Sequence, residues 1–224
     1  MGEETLSKKL RLGVLASGGG SNLQAILDQC QKGLLPAEIV LVLSNKPQSG
    51  ALKRARKAGI PVVVVDHQEF PDREAFDRAM VAALHKAEVE LIVLAGFMRI
   101  LTPVFLEAFP QRIMNIHPAL LPAFPGVNSQ RQALEYGVKV AGCTVHFVDP
   151  GVDSGPIIIQ AAVPVLDNDD ETTLSQRILE QEHRIYPRAI QLYAEGRLRI
   201  EGRHVRISPS TTPDHQALLN PPAV

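Results

Sequence analysis

The chain has 224 residues, enough for one well-buried domain and short for two. Hydrophobic residues make up 45% of it, which excludes a disordered chain, and a formal net charge of -1 gives nucleic-acid binding no global electrostatic support. Cys30 and Cys143 lie far apart and suggest neither a disulfide framework nor a metal cluster, a usage that fits a reducing cytoplasm; no apolar run approaches the ~20 residues of a membrane span, and the polar N-terminus lacks a signal-peptide core.

From the N-terminus, short β-branched runs alternate with helical patterns. Residues 12–16, 39–43, 62–65 and 91–95 are apolar without polar alternation, as buried parallel strands are. Residues 73–87 place Phe76, Met80, Ala83, Leu84 and Ala87 on one helical stripe. The alternation predicts a doubly wound, mostly parallel α/β sheet. The second half changes character. Prolines and glycines crowd residues 118–126, an irregular loop. Residues 138–148 and 156–165 read as extended segments joined by the loop 149–155, a connection short enough for an antiparallel pair. The acidic cluster 167–171 precedes a long helix to about residue 194, with carboxylates at the dipole end that favours them. Residues 198–200 and 205–207, around Gly202, read as a closing hairpin. The expected organisation is one domain over residues 1–207 and a flexible, dispensable tail over 208–224, rich in Pro, Ser and Thr.

Polar groups at several places invite chemistry. The first strand ends in Ser17-Gly18-Gly19-Gly20-Ser21-Asn22, and a helix opens at about Leu23. Glycines there let backbone N–H groups approach an anion at the helix N-terminus, with Ser21 and Asn22 adding donors. The alternative is a plain tight turn. A dinucleotide site fits less well. Leu23 occupies the third glycine position of its fingerprint, and the next strand ends in Ser44-Asn45 without an acidic ribose ligand. A phosphate monoester is the better match.

Within residues 112–118, Ile113, Asn115 and His117 share one face of an extended strand. Asn115 and His117 then lie at the strand's carboxyl end, where open α/β sheets bind ligands. An amide N–H beside an imidazole can hold a carbonyl oxygen as it becomes an oxyanion. The alternative is a structural histidine. Asp153 is either a turn residue or, if it lies near His117, a group that stabilises the imidazolium and takes a proton through water. Glu182 interrupts the stripe Leu174, Ile178, Ile185 and Ala189. Its side chain either escapes to solvent or points inward to meet a cation such as a substrate ammonium. Lys53, Arg54, Arg56 and Lys57 read as a solvated helix face, and His146 as a core histidine or a partner behind the site.

Together, Ser17-Gly-Gly-Gly-Ser-Asn22, Leu94-Ala-Gly-Phe-Met-Arg-Ile-Leu101, Asn115-Ile-His-Pro118, Leu120-Leu-Pro122 and Asp153-Ser-Gly-Pro156 resemble the folate-dependent formyltransferases, in matching order over about residues 12–200. The pattern is closest to the branch that formylates glycinamide ribonucleotide in de novo purine synthesis. The resemblance implies a Rossmann-like formyltransferase fold with antiparallel strands in its C-terminal half. It implies a cytoplasmic transferase of one-carbon metabolism, with 10-formyltetrahydrofolate as donor, the amine of glycinamide ribonucleotide as acceptor, and no metal. Small molecules would be its substrates, without nucleic-acid or membrane partners, in a monomer or homodimer.

Residue by residue, the resemblance implies that Gly20, Ser21 and Asn22 take the acceptor's phosphate. Asn115 and His117 would stabilise the oxyanion, His117 also as proton donor, while Asp153 supports His117 and relays protons. Arg73, the run Met98, Arg99, Ile100 and Leu101, and the loop Asp149, Pro150, Gly151, Val152 and Asp153 would hold the folate. Glu182 would contact the acceptor's amine end, and Leu179 stands where bacterial relatives often carry Gln. Other branches match less well. Formyltetrahydrofolate deformylase would add an N-terminal regulatory domain, whereas the first strand here is expected near Arg11. Methionyl-tRNA formyltransferase would add a C-terminal domain and a basic surface.

Overall fold

The computed structural model describes residues 8–210. The first half contains β1 (Leu10–Leu15), α1 (Ser21–Gln31), β2 (Ala37–Ser44), α2 (Gly50–Lys57), β3 (Val62–Val64), α3 (Arg73–Lys86), β4 (Leu91–Leu94), α4 (Pro103–Ala108) and β5 (Ile113–His117). The second contains α5 (Ser129–Tyr136), β6 (Val140–Phe147), β7 (Ile157–Pro164), α6 (Glu171–Ala194), β8 (Leu198–Glu201) and β9 (His204–Ile207). One sheet holds all nine strands in the order β3-β2-β1-β4-β5-β6-β7-β9-β8. The strands from β3 to β5 are parallel, and β6 runs antiparallel to both β5 and β7. The expected doubly wound sheet, with antiparallel strands in its second half, is therefore present.

Burial on both faces explains the unbroken apolar runs. Leu12, Val14, Leu91 and Val93 pack on one side with Leu23 and Ile26 of α1 and Ile190 of α6. Leu15, Ile92 and Leu94 pack on the other with Met80 and Leu84 of α3 and Phe105 of α4. Tyr186 of α6 is fully buried, and its hydroxyl reaches the carbonyl oxygens of Leu94 at 2.9 Å and Met114 at 3.0 Å. That contact fixes α6 across the carboxyl end of β4 and the start of β5. From β1 the chain winds to β2 and β3 on one side, then returns to β4 and β5 on the other. Such a reversal opens a crevice at the strands' carboxyl ends, the usual ligand position in open α/β sheets.

Helix ends refine the sequence reading. Helix α1 begins at Ser21, earlier than expected, because Gly20 caps it in the left-handed region with φ 76°. Asp170 caps α6 reciprocally with Thr173, and Arg177 beside Asp169 pulls that carboxyl down to about 2. Helices α4 and α5 were not anticipated. The six residues of α4 are too few for an apolar stripe, and Asn128 starts α5 without a side-chain cap bond. Ser208 and Pro209, the start of the expected tail, are pinned to Arg197, whose guanidinium donates to both carbonyl oxygens at 2.9 and 3.2 Å. The rest of that expectation, residues 211–224, lies outside the described residues. Among the described residues, no helix is long and apolar enough to cross a membrane.

Candidate active site

Strand β5 carries Asn115 and His117 to its carboxyl end, and the antiparallel register sets His146 of β6 opposite Asn115. The loop after β6 returns Asp153 to the same place. Gly155 permits this return, since a Cβ there would lie 1.8 Å from the Phe147 carbonyl oxygen. Asp153 itself takes the left-handed conformation, φ 50°. Its Oδ2 lies 3.3 Å from His117 Nδ1 and accepts the Gly126 N–H at 2.8 Å. Its Oδ1 accepts from Asn115 Nδ2 at 3.3 Å. Burial pushes the Asp153 carboxyl up, but the Gly126 N–H and the His117 charge oppose this and hold it below the ordinary carboxylate value. His117 Nε2 faces the Phe124 carbonyl oxygen at 2.8 Å. Both His117 nitrogens thus face acceptors, and only an imidazolium donates to two. The structure brings together Asn115, His117 and Asp153, and adds His146, whose place in the cluster depends on strand register.

The glycine loop after β1 packs against the start of α2. Gly20 is required by φ and by space: a Cβ there would meet the Ala51 Cα at 2.7 Å. No side chain caps α1, so its first-turn N–H groups are available to an anion. The expected solvated face is present, since Lys53, Arg54, Arg56 and Lys57 are all exposed, and Arg54 has protein partners as well. It reaches back over the loop, donating to the Gly19 carbonyl oxygen at 2.9 Å and to Gln24 Oε1 at 3.2 Å. Ser17 ties this loop to the segment after β4. Its hydroxyl donates to Asn45 Oδ1 at 2.7 Å and accepts the Met98 N–H at 2.9 Å.

Glu182 points inward, 6% exposed, and accepts from Asn22 Nδ2 at 2.7 Å. Its protein partner is thus a neutral amide, not a cation, and one N–H of the Asn22 side chain is committed to it. The second amide N–H of Asn22 and its backbone N–H in the first turn are the donors this leaves for an anion. Burial raises the Glu182 carboxyl above its ordinary value, and the Asn22 bond only partly opposes this. A carboxyl raised on folding binds more protons in the native state, so its contribution to stability falls as pH rises through and above about 4.5. We expect Glu182→Gln to remove that pH dependence and to raise Tm near neutrality, each kcal/mol gained being about 2–4 °C in a chain of this size. Melting curves against pH check this, and a lowered Tm at neutral pH contradicts it.

Arg73 opens α3 and donates to the Ile100 carbonyl oxygen at 2.8 Å, joining two of the residues expected to hold one ligand. A cavity of about 200 Å³ lies beside them, lined by His67, Phe70, Phe76, Arg73, Arg99 and Ile100. Met98 and Ile100 are exposed, whereas Leu101 is buried. Asp77, which the sequence reading passed over, accepts from Thr102 N at 2.6 Å and Oγ1 at 2.7 Å and so pins the end of this run. In the loop expected to complete the site, Asp149 accepts from Ser154 Oγ at 2.6 Å and from the Gly151 N–H at 3.1 Å, while Val152 is exposed.

Known proteins resemble the chain along most of its length. The formyl transferase family matches residues 10–190. Phosphoribosylglycinamide formyltransferase of Escherichia coli is 46% identical over 187 residues, 84% of this chain and 88% of that protein. The trifunctional purine biosynthetic protein adenosine-3 of Drosophila pseudoobscura is 51% identical over 92% of this chain, which spans only 15% of that protein's length. Glycinamide ribonucleotide transformylase 1 of Symbiobacterium toebii superposes with a TM-score of 0.88 at 57% identity, covering 89% of this chain and 94% of that one.

Proposed function

Because the chain belongs to the formyl transferase family, we propose that it transfers the formyl group of 10-formyltetrahydrofolate to the amine of glycinamide ribonucleotide. The products are formylglycinamide ribonucleotide and tetrahydrofolate, in a step of de novo purine biosynthesis. The observation that carries this reading is the cluster of Asn115, His117 and Asp153 at the carboxyl end of β5.

The neutral amine attacks the formyl carbon, and the formyl oxygen gains charge against the Asn115 amide and the His117 imidazolium. Asp153, ionised below the ordinary carboxylate range, takes the ammonium proton through a water and returns it to the departing folate nitrogen. The carbon–nitrogen bond to folate then breaks. For His117 to donate from Nε2, the Phe124 carbonyl must give way to the substrate oxygen.

The remaining roles follow from position. The backbone of Gly20, Ser21 and Asn22 at the α1 N-terminus receives the acceptor's phosphate, with the Ser21 hydroxyl as a further donor. Glu182 orients the amine end through the carboxylate oxygen that Asn22 leaves free. Two anchors at opposite ends of the acceptor hold its nucleophile near attack geometry. Arg73, the run from Met98 to Leu101 and the loop from Asp149 to Asp153 hold the folate, with Met98 and Ile100 offering apolar surface to its rings. Ser21→Ala is expected to raise KM for the ribonucleotide severalfold without changing folate affinity, and inorganic phosphate should compete with the ribonucleotide. A change confined to folate affinity would reverse the two assignments. The function itself is tested by following the donor with and without the amine. Consumption only with the amine is transfer; consumption with water alone is deformylation, and it overturns the proposal.

A further inference from the structure

His146 reaches the site from β6, is 2% exposed, and has no part in the mechanism above. Its Nδ1 lies 2.9 Å from the Phe147 carbonyl oxygen. A carbonyl oxygen only accepts, so Nδ1 carries the ring proton. In the neutral ring Nε2 is then a bare lone pair, and it faces Asn115 Nδ2 at 3.2 Å. The same amide nitrogen lies 3.3 Å from Asp153 Oδ1. One N–H of Asn115 therefore has the His146 ring as its acceptor, and the other, in the longer bond to Asp153, is the one that must give way to the formyl oxygen. Turning the amide over would set its oxygen against a lone pair and a carboxylate at once.

We propose that His146 is a positioning residue for formyl transfer: as the neutral, Nδ1-protonated imidazole, it fixes the Asn115 amide with its nitrogen toward Asp153. The consequence for catalysis rests on the reading of Asn115 as an oxyanion donor. The tautomer and the amide orientation do not. Two titratable groups bear on His146. Asp153, from the loop after β6, lies 3.7 Å from Nε2, and His117 of β5 stands beyond it, 3.3 Å from the other carboxylate oxygen. A proton taken up at Nε2 turns that atom from acceptor to donor. It then bonds to Asp153 and repels the Asn115 N–H, so the amide loses one of its two restraints.

The test compares His146→Leu with His146→Gln in the full chain. Glutamine places an acceptor near the position of Nε2 but takes up no proton in the working range, and leucine fills the space without an acceptor. Expected for the leucine variant is a kcat roughly 10-fold to 100-fold lower, less than the full loss of an oxyanion donor, with both KM values within about twofold. The glutamine variant should recover most of that kcat. Independently of activity, nitrogen NMR of the ligand-free protein should find the His146 proton on Nδ1. Unchanged kcat in the leucine variant overturns the proposal, as does a folded glutamine variant as slow as leucine, or a neutral ring protonated at Nε2. If the unaltered protein transfers no formyl group at all, the functional reading fails and the NMR result alone decides the positioning.

Discussion

Asp153→Asn is expected to lower kcat by roughly 10²–10⁴-fold, the range of a lost proton-transfer group, with melting behaviour near neutrality only modestly changed. Asparagine keeps the shape of the side chain and can still accept from the Gly126 N–H, so the loop can close as before. What goes is the negative charge 3.3 Å from His117 Nδ1 and the base that holds the migrating proton. The unaltered carboxyl lies below its ordinary value, so its contribution to stability is present above about 3.8 and is lost as pH falls through its lower native value. The variant should lack that acid-side loss. Steady-state kinetics with both substrates saturating, alongside melting curves across pH, measure both effects. Near-normal turnover in the folded variant removes Asp153 from the mechanism.

The second large effect is expected from His117→Ala. Removing one oxyanion donor typically costs about 10²–10³ in turnover, and the imidazole is proposed here as both donor and charge. Both KM values should change little, because the proposed anchors for phosphate and folate lie on other elements. Some stability is lost as well, since the ring is buried and the Phe124 carbonyl and Asp153 each lose a partner. Combining His117→Ala with Asp153→Asn should cost far less than the product of the two single effects, because residues that act as one unit are not additive. A double variant that multiplies the two losses would mean that they act separately.

Much of this arrangement was legible in the sequence, for specific reasons. Strands β1, β2 and β4 were readable because burial on both faces leaves continuous apolar runs, and the edge strand β3, with Val64 exposed, because its residues are β-branched. Asn115 and His117 were readable as a pair because a strand's period of two puts them on one face at its end. Proximity across the chain was not readable. Asp153 reaches His117 through a loop whose closure depends on backbone at Gly155 approaching Phe147 more closely than any Cβ allows. His146 joins only through the register that sets it opposite Asn115. The Asn22–Glu182 bond spans 160 positions, so an inward carboxylate could be suspected from its stripe but its amide partner could not. Arg54 looked like one charge among four because composition cannot show which of them folds back over a neighbouring loop.

The most direct measurement follows an isotope-labelled formyl group from 10-formyltetrahydrofolate in a single turnover, with glycinamide ribonucleotide present and the enzyme in excess. The account predicts the label on the ribonucleotide's amine, one tetrahydrofolate released for each group transferred, and no transfer above background by the Asp153→Asn variant on the same timescale. Label recovered as formate, or transferred equally well by that variant, would contradict it.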